Sequence, residues 1–204
     1  MIAIIDYGLG NINAIYTVYK NLDIPVKIAS TSSDLENARK LILPGVGSFD
    51  YAMKKLNKSG MRDTLDNLVQ SNKIVILGIC VGMQMLTKYS EEGYRPGLGW
   101  LDAEVKKFNQ EINNHKLSVP HMGWNNIIPK KENPLLAGLC NSSYFYFLHS
   151  YYFDCVDKNN IISETEYGNR YTSAVRSDNI YGVQFHPEKS HKNGIRLLNN
   201  FSNL

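Results

Sequence analysis

Apolar positions in the first half of the chain alternate between short runs and helical stripes. Ile2–Ile5 is an apolar run that ends at Asp6-Tyr7-Gly8-Leu9-Gly10. A run of this kind, stopped by turn residues, fits a strand buried on both faces. Ile12, Ile15, Tyr16 and Tyr19 then recur at i, i+3, i+4 spacing, which predicts an amphipathic helix. Val26–Ala29 reads as a strand, and so does Leu41–Leu43, cut by Pro44-Gly45-Val46-Gly47. Helical spacing returns near residues 49–57 and 62–71. Ile74–Leu77 is a further β-branched run, and a helix is expected just after Cys80. Strands alternating with helices predict βαβ units and a mainly parallel sheet.

The second half has a different rhythm. Strand-like runs lie at 103–108, 125–128, 144–148, 161–164, 171–176 and 180–185, separated by turns such as Tyr167-Gly168-Asn169 and Ser177-Asp178-Asn179. They predict antiparallel strands added to the parallel core. An amphipathic helix is expected from about residue 190, with Ile195, Leu198 and Phe201 on its apolar stripe. No repeat or linker interrupts the chain. The reading is one α/β domain over residues 1–204: a mainly parallel open sheet, flavodoxin-like, flanked by helices with added antiparallel strands.

Composition narrows the function. The 204 residues are 43% hydrophobic and 20% charged, an ordinary globular profile that excludes disorder and coiled coil. The 22 basic and 19 acidic side chains leave a net charge of +3, too small and too evenly spread to argue for nucleic acid or an acidic membrane. No segment reaches the ~18 apolar residues of a membrane span. The N-terminus has no basic lead or small-residue cleavage site, so no signal peptide is expected. Cys80, Cys140 and Cys155 are odd in number and lack CxxC spacing, which argues against a disulfide framework or a zinc site and for a reducing cytosol.

The chemistry concentrates in Ile74-Val75-Ile76-Leu77-Gly78-Ile79-Cys80-Val81-Gly82-Met83-Gln84. Strand, Gly-x-Cys-x-Gly and helix together have the form of a nucleophile elbow with Cys in place of Ser. A sharp turn puts the nucleophile in strained backbone, and side chains on either side would clash, so glycines flank it. The turn also sets the sulfur at a helix N-terminus, which favours thiolate, and frees backbone N–H groups for an oxyanion, first that of Val81. An isolated cysteine is more often a buried structural residue; this setting reverses that preference.

A cysteine nucleophile needs a base. Of the five histidines, His186 stands at a predicted strand end in Gln184-Phe185-His186-Pro187-Glu188-Lys189-Ser190. In an extended segment i and i+2 share a side, so Glu188 can orient the imidazole. Nucleophile, base and orienting group make a triad. His115, in a polar Asn-Asn-His stretch, reads as a surface loop residue, and His191 as the exposed start of the last helix. Pro44-Gly45-Val46-Gly47 puts flexible backbone at the C-terminal end of a parallel strand, where open α/β sheets bind ligands. Gly8-x-Gly10-Asn11 lacks GxGxxG spacing and is not read as a dinucleotide site.

Pro44-Gly45-Val46-Gly47, Gly78-Ile79-Cys80-Val81-Gly82-Met83-Gln84 and His186-Pro187-Glu188, in this order, resemble the three signatures of class I (triad-type) glutamine amidotransferases. Asp6-Tyr7-Gly8-x-Gly10-Asn11, Ser90-Glu91-Glu92-Gly93, His121-Met122-Gly123-Trp124-Asn125, His149-Ser150-Tyr151-Tyr152 and His186-Pro187-Glu188-Lys189-Ser190 resemble one branch of that family, the glutaminases that serve histidine biosynthesis. The resemblance implies roles. Cys80 attacks the side-chain amide of glutamine, His186 moves protons and Glu188 orients His186. The N–H of Val81 and one from Val46 or Gly47 form the oxyanion hole. Gln84, Glu92, His149, Ser150 and Tyr151 hold the charged ends of glutamine. Asn11, His121, Trp124 and Lys189 face a partner.

The implied partner is a (β/α)₈ cyclase subunit that takes up the ammonia in a heterodimer and makes imidazole glycerol phosphate. No metal or organic cofactor is implied. Departures from the family pattern are Val81 where Leu is commoner, Met85-Leu86-Thr87-Lys88-Tyr89 after the elbow, and the aromatic Trp100; all concern packing or the rim of the site. Two rivals differ in their consequences. A paralogous glutaminase would feed another synthase, such as one that amidates a surface sugar, and would differ only at its docking face. A non-catalytic glutamine-binding subunit would lack a triad member, and here all three are present.

Overall fold

A computed structural model describes residues 1–112 and 115–204. In chain order the elements are β1 (Ile2–Ile5), α1 (Ile12–Asn21), β2 (Val26–Ala29), α2 (Ser32–Leu35), β3 (Lys40–Gly45), α3 (Phe49–Lys58), α4 (Arg62–Gln70), β4 (Val75–Cys80) and α5 (Val81–Gln84). The second half contributes β5 (Tyr89–Ser90), β6 (Ala103–Lys107), β7 (Glu111–Ile112), β8 (His115–Lys116), β9 (His121–Asn126), β10 (Ile128–Pro129), β11 (Tyr144–His149), β12 (Tyr151–Cys155), β13 (Ile161–Tyr167), β14 (Asn169–Ser177), β15 (Ile180–Val183) and α6 (His191–Ser202).

The parallel core has the order β2-β1-β3-β4-β15. Its central strands are apolar on both faces because helices cover both: Ile4, Ile5, Leu41, Ile42 and Leu77 are fully buried. Beyond β15 the sheet turns antiparallel through β14 and β12 to β6. Gly168 and Asp178, both at positive φ, make the tight turns that join β13 to β14 and β14 to β15. A separate two-stranded sheet, β9 with β11, stands beside the C-terminal ends of the parallel strands. The helices α1 and α6 pack together, tied by the Tyr19 hydroxyl donating to the Leu198 carbonyl at 3.0 Å. No helix among the described residues is long and apolar enough to cross a membrane.

Several expectations need correction. The helix after Cys80 is a single turn, so its N–H groups matter locally while its macrodipole is small. Strand β9 begins at His121, four positions before the expected start, and β12 was not foreseen at all. On α6 the buried stripe is Gly194, Leu197, Leu198 and Phe201, and Ile195 is exposed. Pro187 sets this register: a Cβ at Gly194 would lie 1.8 Å from the Pro187 carbonyl oxygen. His115 lies in β8, not in a loop.

Candidate active site

The site forms where β3, β4 and β15 end. Cys80 is the last residue of β4 and has φ +55° and ψ −113°, strained for a residue with a Cβ. The surrounding glycines let the chain hold this shape. A Cβ on Gly82 would sit 1.9 Å from the Leu43 carbonyl oxygen, and one on Gly45 2.3 Å from the Gly82 nitrogen. The elbow is thus pressed against the end of β3, beside the Val46–Gly47 loop. Val81 opens α5, and its N–H has no carbonyl a turn earlier to bond.

Cys80 is 2% exposed. Its sulfur lies 3.8 Å from the Leu148 carbonyl and 3.9 Å from Gln184 Nε2. His186 follows β15 and lines the same cleft as Cys80, close enough for the cysteine to act on its charge. Its Nδ1 donates to Glu188 Oε1 at 2.8 Å, which turns Nε2 toward the sulfur. The expected i, i+2 pairing therefore holds, but across a 3₁₀ turn, Pro187–Lys189, and not along an extended strand. Ser190 fixes that turn: its hydroxyl donates to the His186 carbonyl at 2.6 Å and accepts from the Tyr146 N–H at 3.0 Å.

Electrostatics follow from burial and neighbours. Burial disfavours the charged imidazole of His186, yet Cys80 and Glu188 outweigh it and raise the pKa to about 10. Burial alone would raise the Glu188 carboxyl; bonds from His186 and Asn11 hold it below its ordinary value instead. Asn11 Nδ2 donates to Glu188 Oε1 at 2.7 Å. Glu188 Oε2 is buried and unpartnered among the described residues.

The loop after β1 aims Asn11. Gly10 is at φ +110° and packs on Pro44, where a Cβ would lie 2.6 Å from the ring. The Tyr7 hydroxyl donates to the Pro44 carbonyl at 2.7 Å. The Asp6–Asn11 motif thereby joins the Pro44–Gly47 segment to the Glu188 carboxylate.

A cleft of about 460 Å³ opens over Cys80, within the ordinary range for small ligands. Cys80, Val81, Val46, Gly47, Gln84, Glu92, His149, Ser150, Tyr151, His186, Asn11 and Lys189 all line it. Gln84 Nε2 is committed to the Tyr151 carbonyl at 2.9 Å and Gln184 Oε1 at 3.1 Å, which leaves the Gln84 amide oxygen to a ligand. Glu92 Oε2 accepts from the Phe49 N–H at 2.8 Å and caps α3, whose N-cap Ser48 makes no side-chain bond. Burial raises the Glu92 pKa.

His121 and Trp124 do not line the cleft. His121 is 3% exposed and points inward, so its expected place on a partner-facing surface is wrong. Trp124 does face solvent, at 48% exposure, stacked on His191 at 5.1 Å. Beside it stand Met122, Leu148 and Tyr144, all exposed, and Lys189 lies over the Tyr146 ring. Trp100, expected to affect packing or the rim, donates from Nε1 to Asp66 on α4 at 2.7 Å. Sequence reasoning missed Leu148 and Gln184 next to the sulfur. Gln184 had a signal, since it stands two residues before His186 on an extended segment; Leu148 contributes a backbone carbonyl and had none.

A family profile described as "Glutamine amidotransferase class-I" matches residues 3–203. The chain is 51% identical over 204 residues to imidazole glycerol phosphate synthase subunit HisH of Leptospira interrogans, with all of both chains covered. It is 49% identical over 201 residues to subunit HisH 2 of Methanococcus maripaludis, covering 98% of each. Among solved structures, a glutamine amidotransferase superposes with TM-score 0.75 at 19% identity, over 100% of this chain and 99% of that one. PurLQS from Thermotoga maritima superposes with TM-score 0.73 at 16% identity, over 99% and 97%. At such identities the superpositions speak to the fold.

Proposed function

We propose a function from one premise: the chain belongs to the class I glutamine amidotransferases. It is an enzyme, the glutaminase subunit of an imidazole glycerol phosphate synthase, acting in histidine biosynthesis. The assignment of roles to its residues, its glutamine substrate and its docking mode is our reading, with residues 1–204 treated as one amidotransferase domain.

In that reading His186 Nε2 takes the Cys80 thiol proton and the sulfur attacks the side-chain amide carbon of L-glutamine. The carbonyl oxygen becomes an oxyanion held by the Val81 N–H and an N–H of the Val46–Gly47 loop. Collapse breaks the C–N bond; His186 gives its proton to the leaving nitrogen, and ammonia departs from a glutamyl thioester on Cys80. Water, deprotonated by His186, then attacks the thioester and releases glutamate and the thiol. Glu188 keeps the imidazole in the tautomer and orientation that both steps need. The Gln84 amide oxygen and the Glu92 carboxylate attract the α-ammonium group of glutamine, and backbone along His149, Ser150 and Tyr151 receives its α-carboxylate. The observation that carries this reading is Cys80 at positive φ on a glycine-walled elbow, sharing a small-ligand cleft with His186, whose Nδ1 is bonded to Glu188.

The ammonia has a destination in a (β/α)₈ cyclase subunit, docked over the cleft mouth as a heterodimer. There it would enter imidazole glycerol phosphate, with an aminoimidazole carboxamide ribotide as the second product. Exposed Leu148 at the mouth, with Met122 paired opposite it and Trp124 on the same face of the β9–β11 sheet, supplies apolar contact, and Lys189 a charge beside it. Glutamate release measured with and without the same organism's cyclase and its nucleotide tests this partner. Strong stimulation supports it; Cys80-dependent hydrolysis that the cyclase leaves unchanged refutes it and directs the search to another synthase.

A further inference from the structure

Behind the cleft runs a buried polar chain that the chemistry above does not use. Tyr171, on β14, is its centre. Its hydroxyl lies 3.0 Å from His121 Nδ1 and 3.2 Å from His149 Nε2. His149 Nδ1 lies 2.8 Å from the Tyr151 carbonyl, and His121 Nε2 3.3 Å from Asn125 Nδ2. All three central side chains are buried. Burial pushes the His149 pKa down to about 3 and the His121 pKa to about 4, so both rings are neutral near pH 7.

One proton arrangement satisfies the chain. A carbonyl only accepts, so His149 Nδ1 carries the proton and its Nε2 is bare. Nε2 must then accept from the Tyr171 hydroxyl. That spends the tyrosine's one proton, so its oxygen accepts from His121 Nδ1–H. His121 Nε2 is bare in turn and accepts from Asn125 Nδ2, whose other hydrogen goes to the Glu166 carbonyl at 2.9 Å. Both histidines are protonated on Nδ1, and from Asn125 through His121, Tyr171 and His149 each donor points to the next acceptor, ending at the Tyr151 carbonyl.

Aromatic rings wall the chain off from water. His121 is stacked between Phe147 at 4.8 Å and Tyr167 at 3.9 Å, and Phe108 meets Tyr171 edge-on at 5.3 Å. The far end of the chain is the Tyr151 carbonyl, the same one that Gln84 holds from the cleft side. We infer that Tyr171 is a positioning residue: by bridging His121 and His149 it locks the His149–Tyr151 backbone in the shape that receives glutamine. The inference rests on the assignment of that backbone to glutamine binding. Because the chain bonds to that backbone and makes no hydrogen bond to His186 or Glu188 among the described residues, it governs binding more than bond breaking.

Long-range proton–nitrogen NMR of the ¹⁵N-labelled full chain near pH 7 reads the tautomers directly, with His121→Asn assigning the rings. Both should be neutral and protonated on Nδ1; a charged ring, or either one protonated on Nε2, overturns the relay. Tyr171→Phe keeps the ring and removes the bridge. It should raise the glutamine KM about tenfold with kcat within twofold, and an unchanged KM overturns the positioning role. If that variant does not fold, His121→Leu should raise KM severalfold and His121→Asn, which keeps a donor near Nδ1, should restore it; equal KM values in the two overturn the role. Absence of Cys80-dependent glutamate release from the unmodified chain would refute the glutaminase reading instead, while the tautomers would still decide the relay.

Discussion

Removing the Asn11 side chain separates two jobs that one residue could hold. Sequence resemblance places Asn11 on a partner-facing surface, but its Nδ2 donates to Glu188 Oε1 at 2.7 Å, the oxygen that also takes the His186 proton at 2.8 Å. The other carboxylate oxygen is buried without a partner among the described residues. Asn11→Ala therefore cuts the side-chain donors to a buried carboxylate from two to one. A hydrogen bond to a charged group is worth about 1.5–3 kcal/mol. Asn11 is only half-buried, so water can fill part of the gap and the lower end applies. A loss of about 1.5 kcal/mol is roughly tenfold in rate. The variant should lose about tenfold in kcat/KM for glutamine in the isolated chain, measured as glutamate release, and keep at least that deficit when a partner is added. An isolated variant within twofold of the unmodified chain, with a defect only in the complex, would refute the reasoning and return Asn11 to the interface alone.

Two further outcomes are expected. Gly82→Ala forces a Cβ to 1.9 Å from the Leu43 carbonyl oxygen, a backbone atom that cannot swing away; a loss of about 4 kcal/mol, or roughly 10 °C in Tm, should appear in a thermal melt, and a melt within 2–3 °C (about 1 kcal/mol) of the original would mean the elbow and β3 are less tightly pressed. His186 has its folded pKa raised from 6.5 to about 10, so its contribution to stability is complete below pH 6.5 and is lost as pH climbs through 10. Glu188 is held below its ordinary 4.5, so its share is present above that value and lost as pH falls below it. The denaturation midpoint should accordingly drop between pH 7 and 10, and Glu188→Gln should flatten that drop; parallel slopes in both proteins would remove the pair from the stability account.

The parallel half of the fold was readable because strands covered on both faces become unbroken apolar runs: Ile2–Ile5 begins and ends where the pattern said, and so does the edge strand Val26–Ala29, although Lys27 interrupts it and Ile28 is exposed. The two-stranded β9–β11 sheet was harder. The run 144–148 matched β11, but in β9 the exposed side chains Met122 and Trp124 are apolar and the buried His121 is polar, the reverse of the usual alternation, so the start of that strand was missed. That same blur misplaced His121. In a strand, residues three apart face opposite sides, so His121 and Trp124 cannot both look outward; reading 121–126 as a strand would have sent one of them inside. The short α2 carried a legible signal that went unread, a Thr31-Ser32-Ser33-Asp34 capping box in which Asp34 bonds back to the Thr31 N–H at 2.9 Å. Within the site, Cys80, His186 and Glu188 were legible because the elbow and the i, i+2 pair are local in sequence. The Asn11–Glu188 bond spans 177 positions, and the bridging hydroxyl of Tyr171 lies 50 positions from His121. Such contacts exist only once the sheet order brings their strands together.

The central claim is that Cys80 carries the glutamyl group. The most direct test is acid-quenched reaction of the full chain with carbon-labelled glutamine, in the presence of the cyclase, followed by peptide mapping. The account predicts label on the peptide containing Cys80, lost in Cys80→Ala together with glutamate release, while the complex still makes product from added ammonia. Label on another residue, or glutamate release that survives Cys80→Ala, would contradict it.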